Sequence, residues 1–126
     1  LVDELRRQQP PWSVSGAAVA AVLATSTPAA RVEQRRRAEL QADDRAELCR
    51  GLDRHGIPHV PGTGAFVLAQ VPPGTHARLR ARGVAVRRCD TFPGLDDTWV
   101  RIAVRPPAVT ALLLDALVAT EKELVS

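Results

Sequence analysis

The chain has 126 residues, of which 45% are hydrophobic and 25% charged, a balance that fits one soluble globular domain and excludes a disordered chain. Its longest apolar run, Gly16 to Ala24, is far short of the roughly 18 residues a spanning helix needs. The formal charge of +3 is unevenly placed: residues 1–53 balance eight arginines with eight acids, 54–89 hold six arginines and no acid, and 90–126 hold three cations and six acids. The middle third is therefore expected to attract anions.

Leu1 to Gln9 reads as the last turns of a helix, stopped by Pro10 and Pro11. Arg6 and Arg7 precede the apolar run, but Pro10, Pro11 and Trp12 intervene, so this stretch is not expected to be a signal peptide. Ser13 or Ser15 offers an N-cap to a second helix with Ala18, Val19, Val22 and Leu23 on one face, closed by Thr25 to Pro28. A long helix is then expected over 28–55, with Pro28 in its first turn and Gly56 just past its end. Its apolar stripe runs through Val32, Leu40, Leu48 and Leu52, filled out by Ala29 and Cys49. Arg35, Arg36 and Arg37 sit mostly off that stripe and read as a solvated face paired with nearby acids.

Past a Pro58–Gly64 turn, Ala65 to Val71 reads as a strand, Thr75 to Arg82 as a short helix, and Val84 to Cys89 as a second strand. Pro93 and Gly94 form a turn before a third strand from Trp99 to Val104. Pro106 or Pro107 opens a last helix carried by Val109, Leu112, Leu113, Ala116 and Leu117. The order α-α-α-β-α-β-β-α implies an α+β fold, a small mixed or antiparallel sheet of about three strands layered with helices.

Catalytic constellations are thin. His55 and His59 are split by Gly56 and Pro58, so they do not share a helix face as a metal pair would. Cys49 and Cys89, forty residues apart, match no zinc or redox spacing and read as two partly buried thiols of a cytosolic protein. No nucleophile elbow or Walker loop occurs. Arg101 is more informative, because it alternates with Val100, Ile102 and Val104. If those three are buried, Arg101 projects from the opposite face beside Trp99, where burial is costly unless an anion meets it. Its planar fork suits a carboxylate or phosphate, and Arg87 on the neighbouring strand can reach the same place. Both also fit sheet-surface arginines in water.

The stretch from Val86 to Arg105, VRRCDTFPGLDDTWVRIAVR, resembles the C-terminal segment of pyridoxal-phosphate-dependent enzymes of the aspartate-aminotransferase fold. Within that fold it is most similar to the threonine-phosphate decarboxylases of cobalamin synthesis and the histidinol-phosphate aminotransferases. In that group an arginine-bearing strand leads into a Phe/Tyr-Pro-Gly-Leu turn, and a second strand carries another arginine before a final helix. The resemblance makes Arg87 and Arg101 the substrate-binding pair, holding the phosphate and carboxylate of a phosphorylated amino acid or amine. Gln9 to Ser15 resembles the group's proline-rich crossing. Gly56 to Leu68 resembles its loop and strand, with Ala65 standing where an asparagine is usual.

The resemblance also implies what the chain would lack. The family holds its cofactor on a lysine, whereas the one lysine here, Lys122, lies between Glu121 and Glu123. The chain also has no methionine. The expectation is one domain over 1–126, the small domain of a longer, homodimeric cytoplasmic enzyme. In it, 1–9 would end a helix of the missing large domain, 28–55 would link, and 56–126 would form the α/β part. No catalytic residue, covalently bound cofactor, metal or membrane is expected of the piece itself. A rival reading is a basic nucleic-acid-binding or interaction module built on 54–89. Against it stand an aromatic content of 3% and no aromatic interleaved among those arginines for base stacking.

Overall fold

Ser15 accepts a hydrogen bond from the Ala18 amide at 3.1 Å and Thr27 one from the Ala30 amide at 3.2 Å, so the second and third helices begin at capping hydroxyls. These details come from a computed structural model that describes residues 1–10 and 13–125, with side chains as far as Glu121. Pro11 and Trp12 of the proline-rich crossing, and the Lys122 side chain, lie outside the described residues. The reading of 1–126 as one domain meets a chain that divides into two compact units, Leu1–Arg37 and Ala38–Ser126.

The first unit holds α1 (Val2–Gln8), α2 (Gly16–Thr25) and the start of α3 (Pro28–Arg54). Asp3 and Glu4 in the first turn of α1, and Arg6 and Arg7 in its last, complement the helix dipole. No side chain of α1 or α2 is buried, so the face of Val19, Val22 and Leu23 expected to pack stays open within this chain. Along α3, Arg36 and Arg37 both grip Glu33, at 2.8 and 2.6 Å, as the solvated-face reading requires.

In the second unit the core closes on the C-terminal half of α3. Leu48, Gly51 and Leu52 are buried, but Val32 and Leu40 are exposed, so the apolar stripe is shorter than its spacing implied. The reason is reach: burial along α3 begins near Gln41. Gly56, at φ 66°, ends the helix in the left-handed conformation, and the Ile57 amide returns to the Leu52 carbonyl at 3.0 Å.

The sheet has four antiparallel strands, β1 (His59–Val60), β2 (Phe66–Gln70), β3 (Arg87–Arg88) and β4 (Trp99–Ala103), in the order β1-β2-β4-β3. The α+β class therefore holds, with one strand more than expected. The extra strand is β1, inside what reads as a Pro58–Gly64 turn; the Gln70 amide donates to the Pro58 carbonyl at 2.8 Å. Two ladder residues need little strand propensity of their own when a long neighbour supplies the template. The expected Val84–Cys89 strand shrinks to Arg87–Arg88, because the Val84 amide is spent on the Leu79 carbonyl, closing α4 (Thr75–Ala81) after Gly83.

One face of the sheet, bearing Val67, Ala69, Val100, Ile102 and Val104, is buried in the same core as Leu79 of α4 and α5 (Pro107–Val125). Each buried valine, leucine or isoleucine there contributes about 1.5–3 kcal/mol. On α5 the buried side chains are Thr110, Leu113, Leu114, Leu117 and Thr120, while Val109 and Leu112 are exposed. The helix is thus turned from the expected face, with Leu114 in place of Leu112. The opposite sheet face carries Phe66, Leu68, Trp99 and Arg101, none of them fully buried.

Candidate functional site

Strand alternation decides which side chains share the open face. Val100 and Ile102 are buried, so Trp99 and Arg101 between them turn outward, and both are half-buried. Across the β3–β4 ladder Arg87 is the register partner of Arg101, and across β2–β4 that partner is Leu68. The two sequence-predicted site residues are therefore direct neighbours on one face. Arg88 instead stands opposite Val100 and binds Asp90 at 3.0 Å, which removes it from the row.

Arg87 and Arg101 differ from most arginines of the chain in their partners. Among the described residues neither makes an ion pair or a side-chain hydrogen bond; each guanidinium lies over an aromatic ring instead. The Arg101 Cζ is 4.7 Å from the centroid of Phe66, and the Arg87 Cζ is 5.4 Å from that of Phe92. Phe92 is set by the turn that the resemblance singled out: the Leu95 amide donates to the Phe92 carbonyl at 3.1 Å, with Pro93 and Gly94 (φ 83°) between them. Next, Asp96 accepts from the Thr98 amide at 2.9 Å and from the Thr98 hydroxyl, which holds its carboxyl below the usual range and brings the chain into β4.

Cys89 closes the floor of the row. It is buried, its amide donates to the Trp99 carbonyl at 3.1 Å, and burial pushes its thiol up while Arg101 and Arg87 pull it the other way. Burial likewise raises the Cys49 thiol, on the half-exposed side of α3. A thiol of raised pKa is a weaker nucleophile at neutral pH than a free one.

The row presents two cationic side chains on one sheet face. Two planar cations with free edge N–H donors can take a phosphate and a carboxylate, or one anion between them. No group of three or more potential metal ligands exists among the described residues. His59 is spent on the Ile57 carbonyl, 3.2 Å from its Nδ1. The two phenylalanine shelves are the part that sequence reasoning missed. Phe66 meets Arg101 only because β2 pairs with β4, past the intervening β3, and that non-consecutive register is not written in either strand.

The model of the family described as aminotransferase class I and II matches residues 1–120. A histidinol-phosphate aminotransferase of Mycobacterium tuberculosis is 41% identical over 75 residues, covering 56% of this chain and 21% of its own. Histidinol-phosphate aminotransferase 2 of Ralstonia nicotianae is 34% identical over 119 residues, covering 90% of this chain and 31% of its own. Among solved structures, L-threonine-O-3-phosphate decarboxylase from Porphyromonas gingivalis superposes with a TM-score of 0.65 at 26% identity, over 89% of this chain and 36% of that one. The chain thus spans about a fifth to a third of the length of these relatives. With the matched segment taking in nearly every described element, the chain belongs to the aminotransferase class I and II family.

Proposed function

We propose that the chain is the C-terminal small domain of a cytoplasmic, homodimeric pyridoxal-phosphate-dependent enzyme, and that Arg87 and Arg101 hold the anionic groups of its phosphorylated amino-acid substrate. The observation that carries this is the row itself: two arginines in one register pair, without an ion pair among the described residues, on the open face of the sheet. An arginine fork contributes charge-assisted, bidentate hydrogen bonds, and these strengthen as a closing site sheds water.

Pyridoxal phosphate, when bound, supplies the electron sink for chemistry at the substrate's α-carbon. The residues present here do not make its site. Covalent attachment needs a lysine amine, and the one lysine, Lys122, sits between two glutamates near the end of α5. This chain's part is binding and orientation, with the cofactor-holding residues in the portion of the enzyme outside it. Borohydride reduction of the 126-residue chain with pyridoxal phosphate, followed by mass spectrometry, should leave it unmodified. A stoichiometric adduct on Lys122 overturns that division of labour.

Two separate cations suit a substrate with two separate anions. L-threonine-O-3-phosphate carries a phosphate and a carboxylate, which favours decarboxylation of that compound, a reaction of cobalamin synthesis, as the parent activity. The names of the curated relatives favour a second reading, transamination of histidinol phosphate, which carries the phosphate alone. The complete enzyme, given each compound in turn, discriminates them. Carbon dioxide release from L-threonine-O-3-phosphate supports the first reading, and amino-group transfer from histidinol phosphate without such release supports the second. Turnover of neither removes the phosphorylated-substrate assignment.

A further inference from the structure

Phe66 is a large apolar residue left 43% exposed on a strand whose core-facing side chains are Val67 and Ala69, so core packing does not account for it. Its ring does have a defined place. On one side it carries the Arg101 guanidinium at 4.7 Å. Gly64 lies close to the ring edge, where a Cβ would stand 3.5 Å from the Phe66 Cε1. The loop beneath is tethered in turn: Arg45 of α3 donates through Nη1 to the Thr63 and Gly64 carbonyls, both at 3.2 Å.

We propose that Phe66 is a positioning residue that draws Arg101 toward β2, so that the opposed Arg87 and Arg101 remain two separate anion seats and do not converge on one anion. The inference rests on the reading of the pair as the substrate-anion site.

The physical argument begins with the register. Opposed residues of an antiparallel pair have Cα atoms only about 4.5–5.5 Å apart, so two arginines there crowd like charges on one face. A carboxylate beside Arg101 would fix the arm, but it would also occupy the donors a substrate needs. A ring takes only the guanidinium face and leaves the edge N–H groups free. Phe66 is the register neighbour of Ala103, on the strand flanking β4 opposite to β3, so its pull on Arg101 is directed away from Arg87. Phe92, in the turn after β3, gives Arg87 its own ring. The two cations are thereby referred to different supports, each through a contact that costs no donor.

The test is equilibrium titration of the complete enzyme freed of its cofactor with two probes, L-threonine-O-3-phosphate and inorganic phosphate, neither of which is then consumed. Phe66→Leu should weaken L-threonine-O-3-phosphate by about three- to tenfold, the scale of one cation–π contact. Its affinity for inorganic phosphate should hold or rise, because the freed Arg101 can then join Arg87 on a single anion. Phe66→Tyr keeps the ring face and should bind both probes within about twofold of wild type. Arg101→Ala, run in parallel, separates two kinds of failure. If wild type does not bind L-threonine-O-3-phosphate, the two-anion substrate reading falls and the inference with it; if Arg101→Ala binds it as wild type does, the anion-site reading falls as well. If Arg101→Ala weakens binding but Phe66→Leu does not, the positioning role alone is overturned. It is also overturned if Phe66→Leu weakens both probes in proportion, or if Phe66→Tyr fails with Phe66→Leu.

Discussion

Arg87 and Arg101 stand directly opposite one another across the β3–β4 ladder, and each rests on a phenylalanine where a carboxylate would be expected. Opposed like charges cost about 0.2–1 kcal/mol, and an exposed cation–π contact returns about 0.5–1 kcal/mol. The two terms nearly cancel, so Arg101→Gln should hardly move the thermal midpoint in phosphate-free buffer. An anion bound only by the folded state stabilises it by about 2.7 kcal/mol at a hundredfold excess over Kd. Phosphate should therefore raise the midpoint of wild type by more than that of Arg101→Gln, which keeps the Arg87 seat, with chloride at equal ionic strength as the reference. Equal shifts in both proteins would remove the site.

Gly51 of α3 faces the Leu114 side chain of α5. A methyl group there would run into the δ carbons of Leu114 on α5, and both residues are buried. Gly51→Ala gains up to about 1 kcal/mol of helix propensity, while overpacking costs about 1–3 kcal/mol. A net loss of about 1 kcal/mol is expected, read as a lower urea midpoint at unchanged m-value. In a Leu114→Ala background the clash is gone, and the same substitution should become neutral or stabilising. A stabilised Gly51→Ala single variant would show that Leu114 swings aside freely.

The acid range tests the arginine clasp on α3. Hydrogen bonds from Arg36 and then Arg37 lower the Glu33 carboxyl to about 2, and Arg50 and Arg54 lower Glu47 in the same way. A carboxylate whose pKa is depressed by folding adds stability above its ordinary pKa and loses it as pH falls through the folded value. Helicity should then decline between about pH 4.5 and 2, and less steeply in Glu33→Gln. These groups are exposed, so the effect is small and should fade in high salt. A decline that ignores both salt and Glu33→Gln would assign the acid transition to other carboxylates.

What the sequence disclosed divides along a physical line. Features set by neighbours in sequence were legible: the Ser15 cap, the end of α3 before Gly56, the Pro93–Gly94 turn, and the outward side of β4 that makes Arg101 a candidate. Features set by pairing between distant segments were not. The strand at His59–Val60 exists because β2 lies beside it, and Phe66 reaches Arg101 because β2 and β4 are adjacent. The face of α5 was misread for a related reason. Its run of three leucines, Leu112 to Leu114, offers several apolar stripes, and packing into the shared core buries the one through Leu114.

The site assignment predicts a difference between charge and shape at Arg101. Each charge-assisted hydrogen bond to a substrate anion contributes about 1.5–3 kcal/mol, so Arg101→Ala in the complete enzyme should lower kcat/KM by roughly one to two powers of ten or more. Lysine restores the charge but presents a point ammonium in place of a planar fork, so Arg101→Lys should recover only part of the loss. It also stacks less well on the Phe66 ring, which guides the side chain of wild type. Cofactor affinity should be unchanged in both variants, because neither arginine belongs to the proposed cofactor site. The control is Arg36→Ala, which breaks an exposed clasp with Glu33 and should alter helix stability only slightly without touching substrate capture. Steady-state kinetics on the phosphorylated substrate decide the matter. Full rescue by lysine would mean that Arg101 acts only as a charge, and a wild-type kcat/KM in Arg101→Ala beside a loss in Arg36→Ala would place the anion site elsewhere.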